Sequence, residues 1–325
     1  MTPRHCCRAA LLLAGLGVAM TSRGRSVSAQ PTRNASVTLE ESAAPGSNYD
    51  QAEFRLWLPP NAERLRGVLV LVPGSNGDGR PMAEDSVWRA FASRHALALV
   101  GCRFTDKPHE QGFIEDYIRV ADGSGAALLD ALRRFATTSH HTELADAPLL
   151  LWGMSAGGEF DYEFVAWRPE RVIAFVVNKG GIYYTALTSR AARSVPGLLF
   201  IGEKDLDSRK NTISGLFAVN RRGGALWALV EEPNAAHIVG RSRDMSAIFF
   251  EDVLAMRLPA SSPGDDTAGR LRPLDEKTGF LGDFRAKSFH PMGLASAPNP
   301  LTAWLPTERV ARAWQAVVTE KPFDP

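Results

Sequence analysis

The sequence reads Gly153-Met154-Ser155-Ala156-Gly157-Gly158 where an apolar stretch, 149–152, meets a segment with helical periodicity, 156–167. A sharp turn from strand to helix holds its central serine in a strained conformation with the hydroxyl exposed. We expect glycine at positions 153 and 157 because side chains there would collide where the two elements cross. The motif therefore predicts a nucleophilic Ser155 at the N-terminus of a helix, and an ordinary glycine-rich turn is the alternative.

Segments with strand character alternate with segments of helical periodicity along most of the chain. Continuous apolar runs such as 67–72 are typical of parallel strands that are covered on both faces. This alternation indicates an α/β fold with a mostly parallel central sheet and helices on both faces. We predict strands at 36–40, 54–58, 67–72, 96–102, 149–152, 172–177, 198–202 and 225–230. We predict helices at 85–95, 156–167, 208–220 and 242–257, one from Ser124 past Phe135, and one from Thr307.

A serine nucleophile needs a general base and an acid that orients the base. In this strand-turn-helix setting the expected order along the chain is serine, acid, histidine. Asp205 follows the predicted strand at 198–202 and is the first candidate for the acid, with Asp207 as the second. Capping of the next helix is the alternative role for either aspartate. His237, in the loop after the strand predicted at 225–230, is the candidate base, and His290 is its rival because it also follows the acid.

The oxyanion of an acyl-transfer reaction needs two hydrogen-bond donors. One donor is expected to be the backbone N–H of Ala156, directly after the nucleophile. The other should come from the loop 73–79, which follows the apolar strand predicted at 67–72. We favour the backbone N–H of Ser75, with Asn76 second. A plain surface turn is the alternative reading of this loop, since glycine, asparagine and aspartate favour turns.

The ordered set of these motifs resembles the α/β-hydrolase superfamily. The residues that carry the resemblance are Pro73-Gly74-Ser75, the Ser155 motif, Gly202-Glu203-Lys204-Asp205 and His237. The Ser-Ala-Gly-Gly turn and the leader described below further resemble exported bacterial esterases of the polyhydroxyalkanoate-depolymerase and feruloyl-esterase type. The resemblance covers residues 50–257. It implies an eight-stranded, mostly parallel sheet and a Ser-His-Asp mechanism with no cofactor and no metal.

Two features depart from the superfamily pattern. Pro73 stands where many members have a histidine before the oxyanion glycine, and residues 258–325 match nothing expected of the common core. Tyr183 and Tyr184 follow Gly180-Gly181 after a predicted strand and are candidates for the wall of the acyl or alcohol pocket. Packing under the C-terminal segment is the alternative for both tyrosines.

The N-terminus has the layout of a secretory signal peptide. Arg4 and Arg8 precede an apolar run at 9–20, and Val27-Ser28-Ala29 offers small residues for cleavage. A buried N-terminal helix is the alternative. Cleavage after Ala29 would remove four arginines and no acidic residue. The remaining 296 residues would then hold 33 basic and 36 acidic side chains, a net charge of −3. We expect a secreted or periplasmic protein without a stable membrane anchor.

We predict a signal peptide at 1–29, a catalytic domain at 30–257, and a C-terminal extension at 258–325 packed on the same domain. The whole chain of 325 residues carries a net charge of +1, so it lacks the basic footprint that nucleic acid requires of a main partner. The sequence thus predicts an exported serine hydrolase that cleaves a small or polymer-linked carboxylic ester. A peptidase or amidase with the same triad, or a catalytically silent binding protein, are the alternatives. Oligomeric state is left open.

Overall fold

An eight-stranded sheet forms the centre of the computed structural model, which describes residues 36–110, 112, 114–258, 270–294 and 301–323. The apolar runs form strands that are buried along almost their whole length, because helices cover both faces. The predicted signal peptide at 1–29 lies outside the described residues. The strands are β1 (Val37–Ala43), β2 (Gln51–Leu58), β3 (Gly67–Val72), β4 (Leu97–Thr105), β5 (Leu149–Met154), β6 (Val172–Asn178), β7 (Gly197–Gly202) and β8 (Trp227–Glu232).

The strand order is β1-β2-β4-β3-β5-β6-β7-β8. β2 runs antiparallel to both of its neighbours, and all other pairs are parallel. The predicted mostly parallel sheet is confirmed, and with it the eight-stranded α/β-hydrolase fold. β4 lies on one side of β3 and β5 on the other, and open α/β sheets bind ligands at such a reversal, beyond the carboxyl ends of the strands. The loops after β3 and β5 meet at this point.

Helices form a layer on each face of the sheet. α2, α3 and α5 pack apolar side chains into one core cluster, and α1, α6 and α7 pack into the other. No helix among the described residues is long and apolar enough to cross a membrane. The helices are α1 (Ser86–His95), α2 (Ser124–Ser139), α3 (Ala156–Trp167), α4 (Arg190–Arg193), α5 (Asp207–Arg222), α6 (Ser242–Arg257) and α7 (Glu308–Val318).

The C-terminal segment contains a second sheet that the sequence did not predict. β9 (Phe280–Asp283) pairs antiparallel with β10 (Ser288–Pro291) and with β11 (Thr302–Leu305). α7 begins after Thr307, as predicted, and the Thr307 hydroxyl caps it by accepting a hydrogen bond from the N–H of Val310. Trp314 of α7 is fully buried and donates from Nε1 to the backbone oxygen of Leu229 in β8, at 2.9 Å. The segment therefore contributes to the core on the α6 face.

Two element boundaries differ from the prediction in a way that matters for the site. β8 ends at Glu232 rather than at residue 230, because the pairing with β7 continues through the charged residues to Gly202. α5 begins at Asp207 rather than at Ser208, with Leu206 at its N-cap position. The polar turn between β7 and α5 is correspondingly short, and it holds Asp205 close to the end of the sheet.

Candidate active site

Ser155 lies in a strained turn between β5 and α3. It adopts φ 55° and ψ −124°, which residues other than glycine rarely do. Its N–H donates to the backbone oxygen of Asn178 at the end of β6, at 2.8 Å. A Cβ at Gly153 would lie 2.1 Å from the oxygen of Gly157, and one at Gly157 would lie 2.2 Å from the oxygen of Val72. The two glycines are therefore required by the crossing of the elements, as the motif predicts.

Ser155, His237 and Asp205 form a continuous hydrogen-bonded chain. Oγ of Ser155 lies 3.0 Å from Nε2 of His237. Nδ1 of the same imidazole lies 2.8 Å from Oδ2 of Asp205. The three side chains lie in the turns and loops that follow β5, β7 and β8, so the carboxyl edge of the parallel sheet brings together residues that are far apart in the sequence.

The Asp205 carboxylate is almost fully buried, with its side chain 2% exposed. Oδ1 accepts hydrogen bonds from the N–H of Leu206 at 2.7 Å and from Nη1 of Arg209 at 3.3 Å. Burial would raise the pKa of this carboxyl. The hydrogen bonds from His237 and Leu206, together with the charges of His237 and Arg209, outweigh burial and hold the pKa below its ordinary value. Asp205 is therefore ionised beside the imidazole.

The structure does not bring the rival residues to Ser155. The side chain of Asp207 is 88% exposed and pairs with Lys210 at 3.0 Å, in the first turn of α5. His290 is exposed on β10, where Nδ1 lies 3.3 Å from the backbone oxygen of Pro291. Of the two aspartates and two histidines that the sequence left open, the pair in contact is Asp205 and His237.

Two backbone N–H groups near Ser155 were expected to be free as donors, those of Ala156 and of a residue in the loop after β3. Ala156 is the first residue of α3, so its N–H has no acceptor within the helix. The loop after β3 passes close to the nucleophile, since a Cβ at Gly74 would lie 3.6 Å from the Cβ of Ser155. The N–H of Asn76 donates to the Tyr117 hydroxyl at 3.2 Å, whereas the N–H of Ser75 has no acceptor within the described part of the chain. Of the two loop residues, Ser75 has the free donor.

The two candidate pocket tyrosines lie in different environments. The ring of Tyr183 packs edge-on against Tyr162 of α3, with 4.9 Å between ring centroids, and contacts the core. Tyr184 is 48% exposed and carries the guanidinium of Arg119 over its ring at 5.1 Å. Tyr183 therefore packs against α3, and Tyr184 is the one that faces outward.

A buried ion pair that the sequence did not predict lies beneath the site. Lys179, fully buried, donates from Nζ to Oε2 of Glu232 at 2.7 Å and to Oδ1 of Asn178 at 3.1 Å. Oε1 of Glu232 accepts from the N–H of Arg241 at 2.6 Å. These contacts join the end of β6, where Asn178 accepts a hydrogen bond from the N–H of Ser155, to the end of β8, which precedes the loop of His237. The available signal was the polar pair Asn178-Lys179 closing an apolar run.

A metal site is not evident in the described residues: they contain no group of three or more histidine, cysteine, aspartate or glutamate side chains that could hold an ion.

Comparison with known proteins places the chain near several solved structures at low identity. No protein-family model matches it, and neither does any curated protein. A poly(3-hydroxybutyrate) depolymerase from Bordetella parapertussis is 16% identical, with a TM-score of 0.47 over 67% of this chain and 90% of that chain. A ferulic acid esterase is 12% identical, with a TM-score of 0.47 over 62% and 92%. A poly(aspartic acid) hydrolase-1 from Sphingomonas sp. KT-1 is 14% identical, with a TM-score of 0.45 over 65% and 97%.

Proposed function

We propose that this protein is a serine hydrolase that cleaves carboxylic esters through an acyl-enzyme. The observation that carries the proposal is the chain of hydrogen bonds from Ser155 through His237 to Asp205, at 3.0 and 2.8 Å. A hydroxyl within hydrogen-bond distance of an imidazole, itself held by a carboxylate, is the arrangement that activates a serine. The strained turn supports the same role, because it exposes the hydroxyl at the end of the sheet.

In the acylation step His237 accepts the proton of Ser155 through Nε2 while Oγ attacks the ester carbonyl. Asp205 accepts a hydrogen bond from Nδ1–H, which leaves Nε2 free as the base, and its negative charge stabilises the imidazolium that forms. The imidazolium then donates its proton to the leaving alcohol. In the second half of the reaction His237 deprotonates a water molecule that attacks the acyl carbon. The bond from the acyl carbon to Oγ then breaks, the carboxylic acid leaves, and the imidazolium returns the proton to Oγ of Ser155.

The tetrahedral intermediate carries a negative oxygen that needs donors. The N–H groups of Ala156 and Ser75 are the proposed pair. Ala156 also begins α3, and the N-terminus of a helix carries a partial positive charge that favours an anion. Loss of one such donor costs about 10²–10³ in kcat in other serine hydrolases. The Asn76 N–H is engaged by Tyr117, which supports Ser75 as the second donor.

Tyr184 is proposed as a contact for the acyl or alcohol group, because it is exposed on the segment that follows β6. Tyr183, which packs against Tyr162 of α3, is proposed to support the backbone that carries Tyr184. The proposed substrate is a small or polymer-linked ester. Substrates for a first panel are p-nitrophenyl butyrate, methyl ferulate and oligomers of 3-hydroxybutyrate. A peptidase or amidase with the same residues is the second candidate, since amide cleavage differs only in protonation of the leaving group.

The test is a panel of esters and anilides with wild type, Ser155→Ala and Ser208→Ala. Ser208 is an exposed serine on α5 and serves as the matched control. We expect ester hydrolysis by wild type and S208A, and its loss in S155A. A fluorophosphonate probe should label the same two active proteins. Ester hydrolysis that survives in S155A would overturn the assigned nucleophile, and anilide cleavage faster than ester cleavage would favour the peptidase.

We also propose that the protein is exported after removal of residues 1–29. Expression of the full chain in a bacterial host, followed by fractionation and mass spectrometry, tests this. The expected mature protein begins at Gln30 in the periplasm or medium. A Leu12→Arg variant, which interrupts the apolar run, should stay in the cytoplasm. Cytoplasmic wild-type protein with an intact N-terminus would refute export.

A further inference from the structure

Helix α3 holds the segment that follows β6 through two buried glutamates. Oε1 of Glu159 accepts a hydrogen bond from the N–H of Gly181 at 2.5 Å. Glu163, one turn further along the helix, accepts from the N–H groups of Tyr184 and Thr185 at 2.7 and 2.9 Å, and from the Thr185 hydroxyl at 2.7 Å. The helix that begins at the nucleophile therefore also fixes the backbone of residues 181–185.

This segment adjoins the Ser-His-Asp chain. A Cβ at Gly181 would lie 3.1 Å from Cγ of Arg209, whose guanidinium donates to Asp205. The segment also presents Tyr184 outward, beside Arg119. Movement of residues 181–184 would thus change the proposed wall of the site without touching Ser155 itself.

The two glutamates differ in how completely their oxygens are paired. Both oxygens of Glu163 accept hydrogen bonds. Glu159 is 5% exposed, and its Oε2 is buried with no hydrogen-bond partner among the described residues. The Tyr183 hydroxyl is also buried and has no hydrogen-bond partner among the described residues. It lies beside Glu159, since a Cβ at Gly180 would be 2.3 Å from that hydroxyl and 2.9 Å from Cγ of Glu159. A site this closely packed favours a role for Glu159 inside the protein over binding of a ligand.

The charge of Glu159 is sensitive to its surroundings. Burial raises the pKa of its carboxyl to about 7, and the charge of Glu115 acts in the same direction. The hydrogen bond from the N–H of Gly181 and the charge of Arg209 act in the opposite direction. The hydroxyls of Tyr117, Tyr183 and Tyr184, which interact electrostatically with this carboxylate, are neutral near pH 7, since burial raises the pKa of each above its already high ordinary value. The carboxyl of Glu159 therefore changes its charge around neutral pH.

We propose that Glu159 is a positioning residue that holds residues 180–184 in the substrate-binding conformation through its ionised carboxylate. The inference rests on the proposed ester hydrolysis. A carboxylate is a stronger acceptor than a neutral carboxyl, and the stronger acceptor keeps the backbone at Gly181 in place. Protonation weakens this hydrogen bond, the segment loosens, and substrate binds less tightly. Ser155, His237 and Asp205 keep their geometry, so the effect falls on KM rather than on kcat.

The kinetic test measures KM and kcat for p-nitrophenyl butyrate between pH 6 and 8 in wild type, Glu159→Gln and Glu163→Gln. We expect the wild-type KM to rise about fivefold from pH 8 to pH 6, the factor that separates a charged from a neutral acceptor. In E159Q, which cannot ionise, KM should be nearly independent of pH while kcat follows the wild-type profile. E163Q is the matched control on the same helix and segment, and it should keep the wild-type change in KM. An E159Q profile that coincides with wild type would overturn the proposal.

Hydrogen exchange gives a second test that needs no substrate. After correction for the intrinsic pH dependence of exchange, the peptide covering 179–186 should be more protected at pH 8 than at pH 6 in wild type, and equally protected at both in E159Q. Equal protection at both pH values in wild type would refute the role of Glu159, even if the variant fails to fold. Intact pH-dependent protection in a protein that hydrolyses no ester would instead overturn the proposed function.

Discussion

Replacing Asp205 by asparagine changes the proton pattern of the site while preserving its shape. Asp205 accepts from three donors: His237 through Oδ2, and Leu206 and Arg209 through Oδ1. Asparagine has one acceptor oxygen and one NH₂ group, so it cannot satisfy all three. With its oxygen toward Leu206 and Arg209, its NH₂ faces Nδ1 of His237. The flipped amide would instead point two hydrogens at an N–H and a guanidinium, so the first orientation is favoured.

In that orientation Nδ1 of His237 must accept a hydrogen bond, and the ring proton moves to Nε2. The imidazole then cannot take the proton of Ser155. In a serine protease with the same three groups this change of tautomer lowers kcat by about 10⁴-fold. We expect a loss of the same order here, equivalent to about 5.5 kcal/mol of transition-state stabilisation at about 1.4 kcal/mol per factor of ten. KM should change little because Asp205 is buried behind the imidazole.

The assay is the initial rate of p-nitrophenyl butyrate hydrolysis at pH 8 for wild type, Asp205→Asn and Asp207→Asn. Asp207 is the matched control, two residues away but 88% exposed and paired with Lys210. D207N should retain wild-type kcat within about twofold, since an exposed ion pair contributes little. Circular dichroism and thermal unfolding verify that both variants fold. A D205N enzyme within tenfold of wild type, or a D207N enzyme that loses more activity than D205N, would refute the assignment of the acid.

Three further changes test the packing. Gly157→Ala places a Cβ 2.2 Å from a backbone oxygen, so we expect the free energy of unfolding in urea to fall by about 3 kcal/mol. Gly215→Ala is the control: Gly215 has open space around it on α5, so this change should leave stability unchanged or raise it by up to about 1 kcal/mol. Trp314→Ala should lower the free energy of unfolding by about 3–5 kcal/mol, and a smaller loss would contradict a core role for α7. Asp161 is fully buried, no hydrogen bond reaches its carboxylate oxygens within the described residues, and burial raises its pKa well above the ordinary range. The unfolded chain releases this proton at a lower pH than the native state does, so the stability of the protein falls as pH rises. Asp161→Asn should therefore stabilise the protein at pH 8 by about 1–3 kcal/mol and flatten the decline in stability from pH 5 to pH 8. Urea titrations at the two pH values measure both effects.

The central sheet could be predicted because its strands are defined by local composition. The run Gly67–Val72 and the stretch before Gly153 are apolar at every position, which only strands covered on both faces tolerate. The second sheet could not be predicted in this way. Its strands are four residues long, and β10 is mostly exposed. Their pairing depends on contact with the body of the protein, where Trp304 of β11 is buried, and not on a periodic pattern in the segment itself.

Much of the candidate site follows from the same logic, because residues at the carboxyl ends of parallel strands meet at one edge. That rule is sufficient to bring Ser155, Asp205 and His237 within reach. It does not identify Lys179, Glu232 or Glu159, whose importance comes from burial. A lysine or glutamate is usually exposed, and these three are buried only because elements distant in sequence enclose them. Their pairing is a property of the tertiary fold.

The sequence alone could not decide whether Asp205 or Asp207 is the acid that pairs with His237. Both follow β7 in a polar turn, and both suit the order serine, acid, histidine. The structure separates them through the loop after β8. The N–H of Lys204 donates to the oxygen of Ala235 at 2.8 Å, and a Cβ at Gly202 would lie 2.6 Å from that same oxygen. The loop that carries His237 is therefore pressed against the turn, so the first aspartate faces the imidazole. The second already lies in α5 and points to solvent, where its charge can stabilise the helix N-terminus but cannot orient a base.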